Sequence, residues 1–326
     1  MKKVLIPILL LGLLPHASAD YIHWVDFRLS APVLRSALEL DMASQGGEQP
    51  LDWIDILALA AAWRGGTGVT VADTQRAAQA LRGDTPPERL PGMAGRYFSY
   101  YREAYGAALG GLAGHFAIRR TDPQTGEAEW IPAYGLKAFS PIAAGYPWSH
   151  YPDFGAQRSY GYARPHLGND ILGALGTPIC AVEGGTVEAL GWNRYGGWRI
   201  GIRSDDRKRY YYYAHLRKDT PYAEGLAVGQ RVQAGDVIGF MGRTGYSAQE
   251  NVNNIETVHL HFGLQLIFDE SQKECDSEIW IDVYPIIELL ASHCSSVARD
   301  PQTGRWERLY PYCDLDAEPL RSAAAR

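Results

Sequence analysis

Apolar and polar positions change rhythm once along this chain, near residue 135. Before that point the spacing is helical. Ser30 precedes Ala31-Pro32 and an apolar-periodic run to Met42, which predicts a helix capped by Ser30. Pro50-Leu51-Asp52-Trp53 opens a second helix, with Ile54, Leu57, Ala61 and Trp63 near helical spacing and Gly65-Gly66 as its stop. Thr70 and Asp73 have the spacing of a capping box and start a third, ended by Gly83. Residues 84–92 form a Pro-rich linker, and a fourth helix, rich in Tyr and Ala, spans Arg96 to Leu112. The Tyr and Trp residues here fall at helical spacing, which predicts core packing rather than a ligand groove. A hairpin follows, His115–Arg120 and Glu127–Pro132 around Asp122-Pro123-Gln124-Thr125-Gly126. The same five residues recur at Asp300-Pro301-Gln302-Thr303-Gly304, but their flanks differ, so the repeat is one of turn chemistry and not of domains.

Beyond Gly135 short β-type runs alternate with glycines: Ile179–Val182, Thr186–Leu190, Trp198–Ile202, Arg209–Tyr213, Arg231–Val232, Val237–Met241 and His259–Ile267. Many short strands with Gly-rich turns predict an antiparallel sheet or sandwich. The fold class is therefore α+β, a helical N-terminal region followed by an antiparallel β domain. A last helix is expected within Ile281–Val297, with Pro285 near its start, and a polar, frayed tail after Cys313. Residues 20–134 form the helical region with its hairpin, 135–285 the β domain, and 286–326 the C-terminal helix and tail. The N-terminal region resembles nothing familiar.

The first residues alter this division. Lys2 and Lys3 precede an apolar run from Val4 to Leu14, and Ala17-Ser18-Ala19 is a small-residue cleavage site, so residues 1–19 read as a secretory signal. A membrane helix needs about 20 apolar residues, and no later segment offers them, so no stable membrane insertion is expected after cleavage. Export places the chain in the periplasm, cell wall or medium and permits disulfides. Of Cys180, Cys275, Cys294 and Cys313, the last two flank the second hairpin and are the favoured pair, whereas Cys180 sits in an apolar run as a buried small residue. The net charge of −6 and the lack of a basic tract exclude nucleic acid as the partner. The oligomeric state is open.

Chemistry concentrates in the β region. In His259-Leu260-His261 the two imidazoles lie at i and i+2, so a strand projects both from one face. Such a doublet is half a metal site, an acid/base pair, or merely two strand histidines. His166 and Asp170 precede it, with Pro165 and Gly168 between strand-like runs arguing for a loop leading into a strand at Asp170. His215 ends the four-tyrosine run Tyr210–Tyr213 after Ala214, and His150 stands at the edge of the region. Catalytic zinc takes three N/O ligands and leaves a position open. This inventory supplies three ligands and spare imidazoles to move a proton.

Together these motifs make the segment from about Phe154 to Leu266 resemble the lysostaphin/LytM-type zinc metallopeptidases. They are His166-x-x-x-Asp170, Tyr213-Ala214-His215-Leu216 and His259-x-His261, in that order. Lesser matches surround them, among them Phe154-Gly155 with Arg158, Gly176-Thr177-Pro178, Gly235-Asp236-Val237-Ile238-Gly239 and Gly242-Arg243-Thr244-Gly245. The resemblance implies a β-sheet enzyme that cuts bacterial peptidoglycan peptides with a zinc-activated water. It implies zinc ligands His166, Asp170 and His261, with His215 and His259 as the unligated catalytic pair, their division of roles open. Gly196-Gly197, Gly242 and Gly245 are turn or close-approach positions. Of Trp192, Trp198 and Tyr210–Tyr213, about half should be core and the rest groove wall.

Two departures bear on function. Residues 248–258 form a longer crossing than the family often has and are expected to overhang the groove. The helical region could bind wall polymer, cover the site as a lid, or carry a second wall-degrading activity; a lid predicts that trimming before about Gly135 raises activity. The runner-up reading is a non-catalytic LytM-type wall-binding module that regulates an amidase, and behind it an exported structural protein with an incidental metal site.

Overall fold

The computed structural model describes residues 21–273 and 277–317. The expected signal at 1–19, Cys275 and the last nine residues lie outside them. Four helices come first: α1 Ala31–Ser44, α2 Trp53–Arg64, α3 Val71–Leu81 and α4 Met93–Leu109. Asp52 caps α2 by accepting from the Ile54 N–H, and Gly65, at φ 65°, ends it in the left-handed conformation. The Thr70–Asp73 capping box opens α3 as expected, and Arg64 adds two hydrogen bonds to the Asp73 carboxylate, both 3.0 Å. Ser30 differs. Its side chain makes no cap, only its carbonyl accepts from Leu34, and the start of α1 rests on Pro32, whose fixed φ suits a first turn. The helix expected over Arg96–Leu112 begins and ends three residues earlier, set by Gly92 at φ 72° and by Gly110. The helix α2 buries residues all round, including Trp53, Ile56, Leu57 and Leu59, as an element apolar on every side must. Trp53, Phe98 and Tyr105 are core, in line with their spacing.

A long hairpin, β1 Ala113–Thr121 and β2 Ala128–Leu136, connects the helices to the β domain. Its turn and the later one between β15 Val297–Arg299 and β16 Trp306–Arg308 repeat the same bonds. In each, the Asp carboxylate accepts from the two N–H groups that follow the Pro, the Gly N–H reaches the Asp carbonyl, and the Thr hydroxyl accepts two residues on.

The remaining strands are β3 Trp148–His150, β4 Gln157–Arg158, β5 Arg164–Pro165, β6 Asn169–Gly173, β7 Pro178–Cys180, β8 Gly185–Asn193, β9 Gly197–Ser204, β10 Arg209–Ala214, β11 Arg231–Val232, β12 Val237–Phe240, β13 His259–Leu266, β14 Ile279–Trp280 and β17 Tyr312–Asp314. The main sheet has eight strands in the order β11-β8-β9-β10-β13-β6-β3, with β14 also pairing β13. Every pair in it is antiparallel. Smaller sheets are β7 with β12 and β4 with β5. The fold is thus helices followed by antiparallel sheets, the expected class.

Alternation gives the main sheet two faces. Ile171, Ile200, Ile202, Tyr211, Tyr213, Leu260, Phe262 and Leu264 are buried in one core that also takes in α1, α2 and α4. At its border the buried Arg209 guanidinium donates to both Glu183 oxygens, at 2.7 and 3.1 Å, and to Asp206 at 2.7 Å. It also meets the carbonyls of Gly106 and Ala107 at the C-terminal end of α4. A cation there complements the negative end of the helix. Tyr211 adds a hydrogen bond to the same Glu183.

The helix expected within Ile281–Val297 is α5, Tyr284–Leu290, with Pro285 in its first turn. The tail is not frayed where it is described: β17 pairs with β1, Tyr312 is buried, and Lys137 binds Asp314 and Asp316. That pairing also explains why the expected Cys294–Cys313 bridge is absent. Cys313 leaves with β17 to lie opposite Ala117, while Cys294 stays behind α5, and both are free thiols. Cys180 is buried as expected.

Candidate metal centre and cleft

Five side chains converge on the polar face of the main sheet. The β13–β6 register sets His261 opposite Asp170 and His259 opposite Leu172, so the strand alternation turns both histidines outward while Leu260 and Phe262 anchor the core. His166 follows β5 in a loop held by two backbone bonds, Gly155 N–H to its carbonyl and its N–H to Ala156. His215 follows β10 at φ 62°, a left-handed turn sparsely used outside glycine, fixed by its N–H to Gly196 O at 2.7 Å. Gly197 enables the neighbouring approach: a Cβ there would stand 2.4 Å from the Thr244 backbone.

Three donor atoms meet at the centre. His166 Nε2 lies 2.7 Å from His261 Nδ1 and 3.0 Å from Asp170 Oδ1, and His261 Nδ1 lies 3.2 Å from Asp170 Oδ1. The opposite nitrogen of His166, Nδ1, is 3.1 Å from the Asp153 carbonyl and 3.1 Å from its carboxylate. Both are acceptors, so Nδ1 carries the proton and Nε2 turns a lone pair inward. Asp153 is itself held by Asn169 Nδ2 at 2.9 Å and Arg158 at 3.0 Å. The same guanidinium nitrogen binds Asp170 Oδ2 at 2.9 Å, leaving Oδ1 for the centre. Such outer partners fix a ligating histidine's tautomer and orientation.

The donor set fits a cation. With its Nδ1 unprotonated, His261 joins the inward lone pair of His166 and the Asp170 carboxylate in facing one point, where a cation would answer all three. Zinc with N and O ligands at about 2.0–2.2 Å puts the ligand atoms of a tetrahedron roughly 3.4 Å apart, close to the separations found. These three residues are the group that could hold a metal, with ligand atoms all within 4.8 Å. Burial opposes ionisation of Asp170, but hydrogen bonds to His166 and His261 outweigh it and hold the carboxyl far below its usual range. Burial would lower His166, yet Asp153 and Asp170 push it up to about 9. Both directions express a negative site drawing positive charge.

His215 and His259 stand beside this centre, ring centroids 4.7 Å apart. Their Nδ1 atoms lie 2.9 Å from the carbonyls of Thr244 and Thr257 respectively. A carbonyl can only accept, so both rings carry the proton on Nδ1 and present Nε2 as a base. His259 Nε2 is 3.7 Å from Asp170 Oδ1. Burial, then the neighbouring His259 and His261, hold His215 well below its ordinary value.

A cleft of about 270 Å³ opens over His166, Asp170, His215 and His261. Tyr195, Tyr212, Tyr246 and Trp280 wall it, with Tyr160 stacked on Tyr246 at 4.6 Å. Tyr210 and Tyr212 line it while Tyr211 and Tyr213 are core, the division expected of an alternating strand. Trp192 and Trp198 pack on each other outside it. The crossing 248–258 does not overhang the cleft. Asn251 pins it to Trp198 and Asp219, and Asn254 to the Tyr246 carbonyl, on the flank. The helical layer is no lid either: every lining residue lies between Arg158 and Trp280, and the helices meet the opposite side of the sheet at Arg209. Sequence reasoning missed Asp153, a lone Asp in a Pro-Asp-Phe loop, and the role of Asn169. His150, noted only as an edge residue, bridges Asn169 Oδ1 at 2.6 Å and Glu288 at 2.9 Å.

Residues 164–274 match the family model of Peptidase family M23. They form an M23 peptidase domain. Over 130 residues the chain is 40% identical to an L-Ala--D-Glu endopeptidase of Bacillus subtilis (strain 168), a span of 40% of this chain and 38% of that one. Over 98 residues it is 37% identical to lysostaphin of Staphylococcus simulans, 30% of this chain and 17% of that protein. The chain therefore matches well under half the length of these relatives. Among solved structures, the catalytic domain of the antimicrobial peptidase lysostaphin from Staphylococcus simulans aligns with 92% of its length and 44% of this chain, at 28% identity and a TM-score of 0.33. The M23 match begins two residues before His166 and contains all five converging side chains.

Proposed function

We propose that this chain is a secreted zinc-dependent endopeptidase that hydrolyses peptide bonds of bacterial peptidoglycan, in cross-bridges or stem peptides. The observation that carries this reading is the convergence of three inward donors with two further imidazoles in a cleft of the M23 domain. The relatives' names, one an L-Ala--D-Glu endopeptidase, support a wall peptide as substrate. Export rests on the leader at residues 1–19; among the described residues no helix is long and apolar enough to cross a membrane.

In this reading His166, Asp170 and His261 hold the zinc. When bound, it supplies Lewis-acid polarisation of the scissile carbonyl and lowers the pKa of the attacking water. The chain's own groups do the rest. Arg158 and Asp153 orient the ligands. His215, kept neutral by burial, takes the proton of the attacking water at Nε2. His259 faces the same space through Nε2 and stabilises the developing oxyanion once protonated, so the two imidazoles divide acceptance and donation. Tyr195, Tyr212 and Tyr246 wall the peptide's path and exclude water from its sides.

The test is to purify the processed chain, quantify bound metal, and mass-analyse the products from purified peptidoglycan. Stoichiometric zinc with new peptide termini supports the proposal. Metal-bearing protein that leaves the wall intact overturns it.

A further inference from the structure

The other cations that line the cleft are held by this chain. Arg158 is shared by Asp153 and Asp170, Lys273 binds Glu188, and Arg164 donates to the Tyr160 carbonyl and lies over the Tyr195 ring. Arg199 is the contrast. It lines the cleft, yet among the described residues its side chain makes no hydrogen bond and no ion pair, and its Nε is buried without a partner. Arg199 is half-buried; its guanidinium cannot shed its charge, so a buried Nε left unanswered is costly. Its place is also defined. Tyr212 pairs with Gly201, which puts Gly201, and hence Arg199 two residues earlier, on the cleft face of β9. One step past the Tyr213–Ile200 pair, the register brings Arg199 beside Ala214, which pairs with His261, which pairs with Asp170. Arg199 therefore stands at the end of one transverse row that leads to the candidate metal centre. Between them in that row stands Ala214, fully buried, with Gly196 close over its methyl group.

We infer that Arg199 is a specificity residue that binds a carboxylate of the peptide substrate near the bond to be cut. Two strand spacings of about 4.8 Å separate its row position from His261. An extended residue spans about 3.3–3.6 Å, so the carboxylate lies within roughly three residues of the cleaved bond, less the reach of the side chain. The planar fork matches a carboxylate with two parallel hydrogen bonds, which a carboxamide cannot reproduce with the same charge. The inference rests on the peptidase reading above and sharpens its substrate: a wall peptide with a free carboxylate beside the bond, in preference to an uncharged run of glycines.

The experiment compares two synthetic L-Ala–D-Glu peptides, one with the glutamyl α-carboxylate free and one with it amidated, on the zinc-loaded chain. At least a tenfold higher kcat/KM for the free acid is expected, carried mainly by KM. In Arg199→Gln the two peptides should be cleaved within about twofold of each other, and Arg199→Lys should retain part of the preference. Metal content and unfolding midpoint of both variants should match the parent, which separates lost recognition from lost fold. A parent without preference, or a preference that survives in Arg199→Gln, overturns the inference. If neither peptide is cut, equilibrium binding of the same pair decides. Tighter binding of the free acid that vanishes in Arg199→Gln sustains Arg199 while the peptidase reading falls; equal binding ends both.

Discussion

On β10 the odd positions Arg209, Tyr211 and Tyr213 enter the buried core, and the even positions Tyr210 and Tyr212 line the cleft. One strand thus serves two faces with opposite electrostatic states. On the core face the charge of Arg209 is fully answered, by Glu183, Asp206 and two carbonyls of α4. On the cleft face charge is left in surplus: three donors point at one another, and the Arg199 side chain has no hydrogen bond or ion pair among the described residues. A closed network gives stability; an open one gives binding, because a ligand completes it. Substitutions should therefore separate the two faces.

The largest effect belongs to the cleft. Asp170→Asn should lose bound metal and all measurable turnover while the unfolding midpoint stays put or rises, read by metal quantification beside thermal unfolding. His215→Ala should keep the metal and lower kcat by about 10²- to 10⁴-fold, the usual worth of a positioned general base. Arg209→Ala probes the other face. It strands Glu183 in the core and should cost about 3–5 kcal/mol in urea unfolding, with metal per folded molecule unchanged. Asp153→Asn weakens the support of His166 and should reduce zinc affinity by about 10- to 100-fold, measured by competition with a chelator. Thr70→Ala, remote from both faces, removes one half of the α3 capping box and should cost about 1 kcal/mol with no change in turnover.

Much of this contrast was legible in the sequence where the determinants are local. Asp52 and Gly65, the Thr70–Asp73 box and the two Asp-Pro-Gln-Thr-Gly turns act within a few residues, and they mark real boundaries. The doublet His259-x-His261 reads directly because a strand's period of two is rigid. What stayed hidden is non-local. No spacing joins Arg209 to the end of α4 about a hundred residues earlier, or Asp153 to His166 across a loop. Ser30 looked like a cap and is not one, since Pro32 alone sets the first turn. The crossing 248–258 looked like an overhang, but Asn251 folds it against Trp198. The Cys294–Cys313 bridge failed because β17 travels back to β1.

That return has a consequence for how the chain is made. Synthesis is vectorial, and N-terminal units generally fold first. Here the sheet begun by β1 at residue 113 is completed by a strand that ends at residue 314, and Asp314 and Asp316 neutralise the buried Lys137 only then. Until the last strand emerges, one edge of that sheet stays open and one core cation stays unpaired. The three-stranded sheet therefore acts as a completion check, and a chain truncated before Tyr312 retains every candidate catalytic side chain without being able to close its own fold.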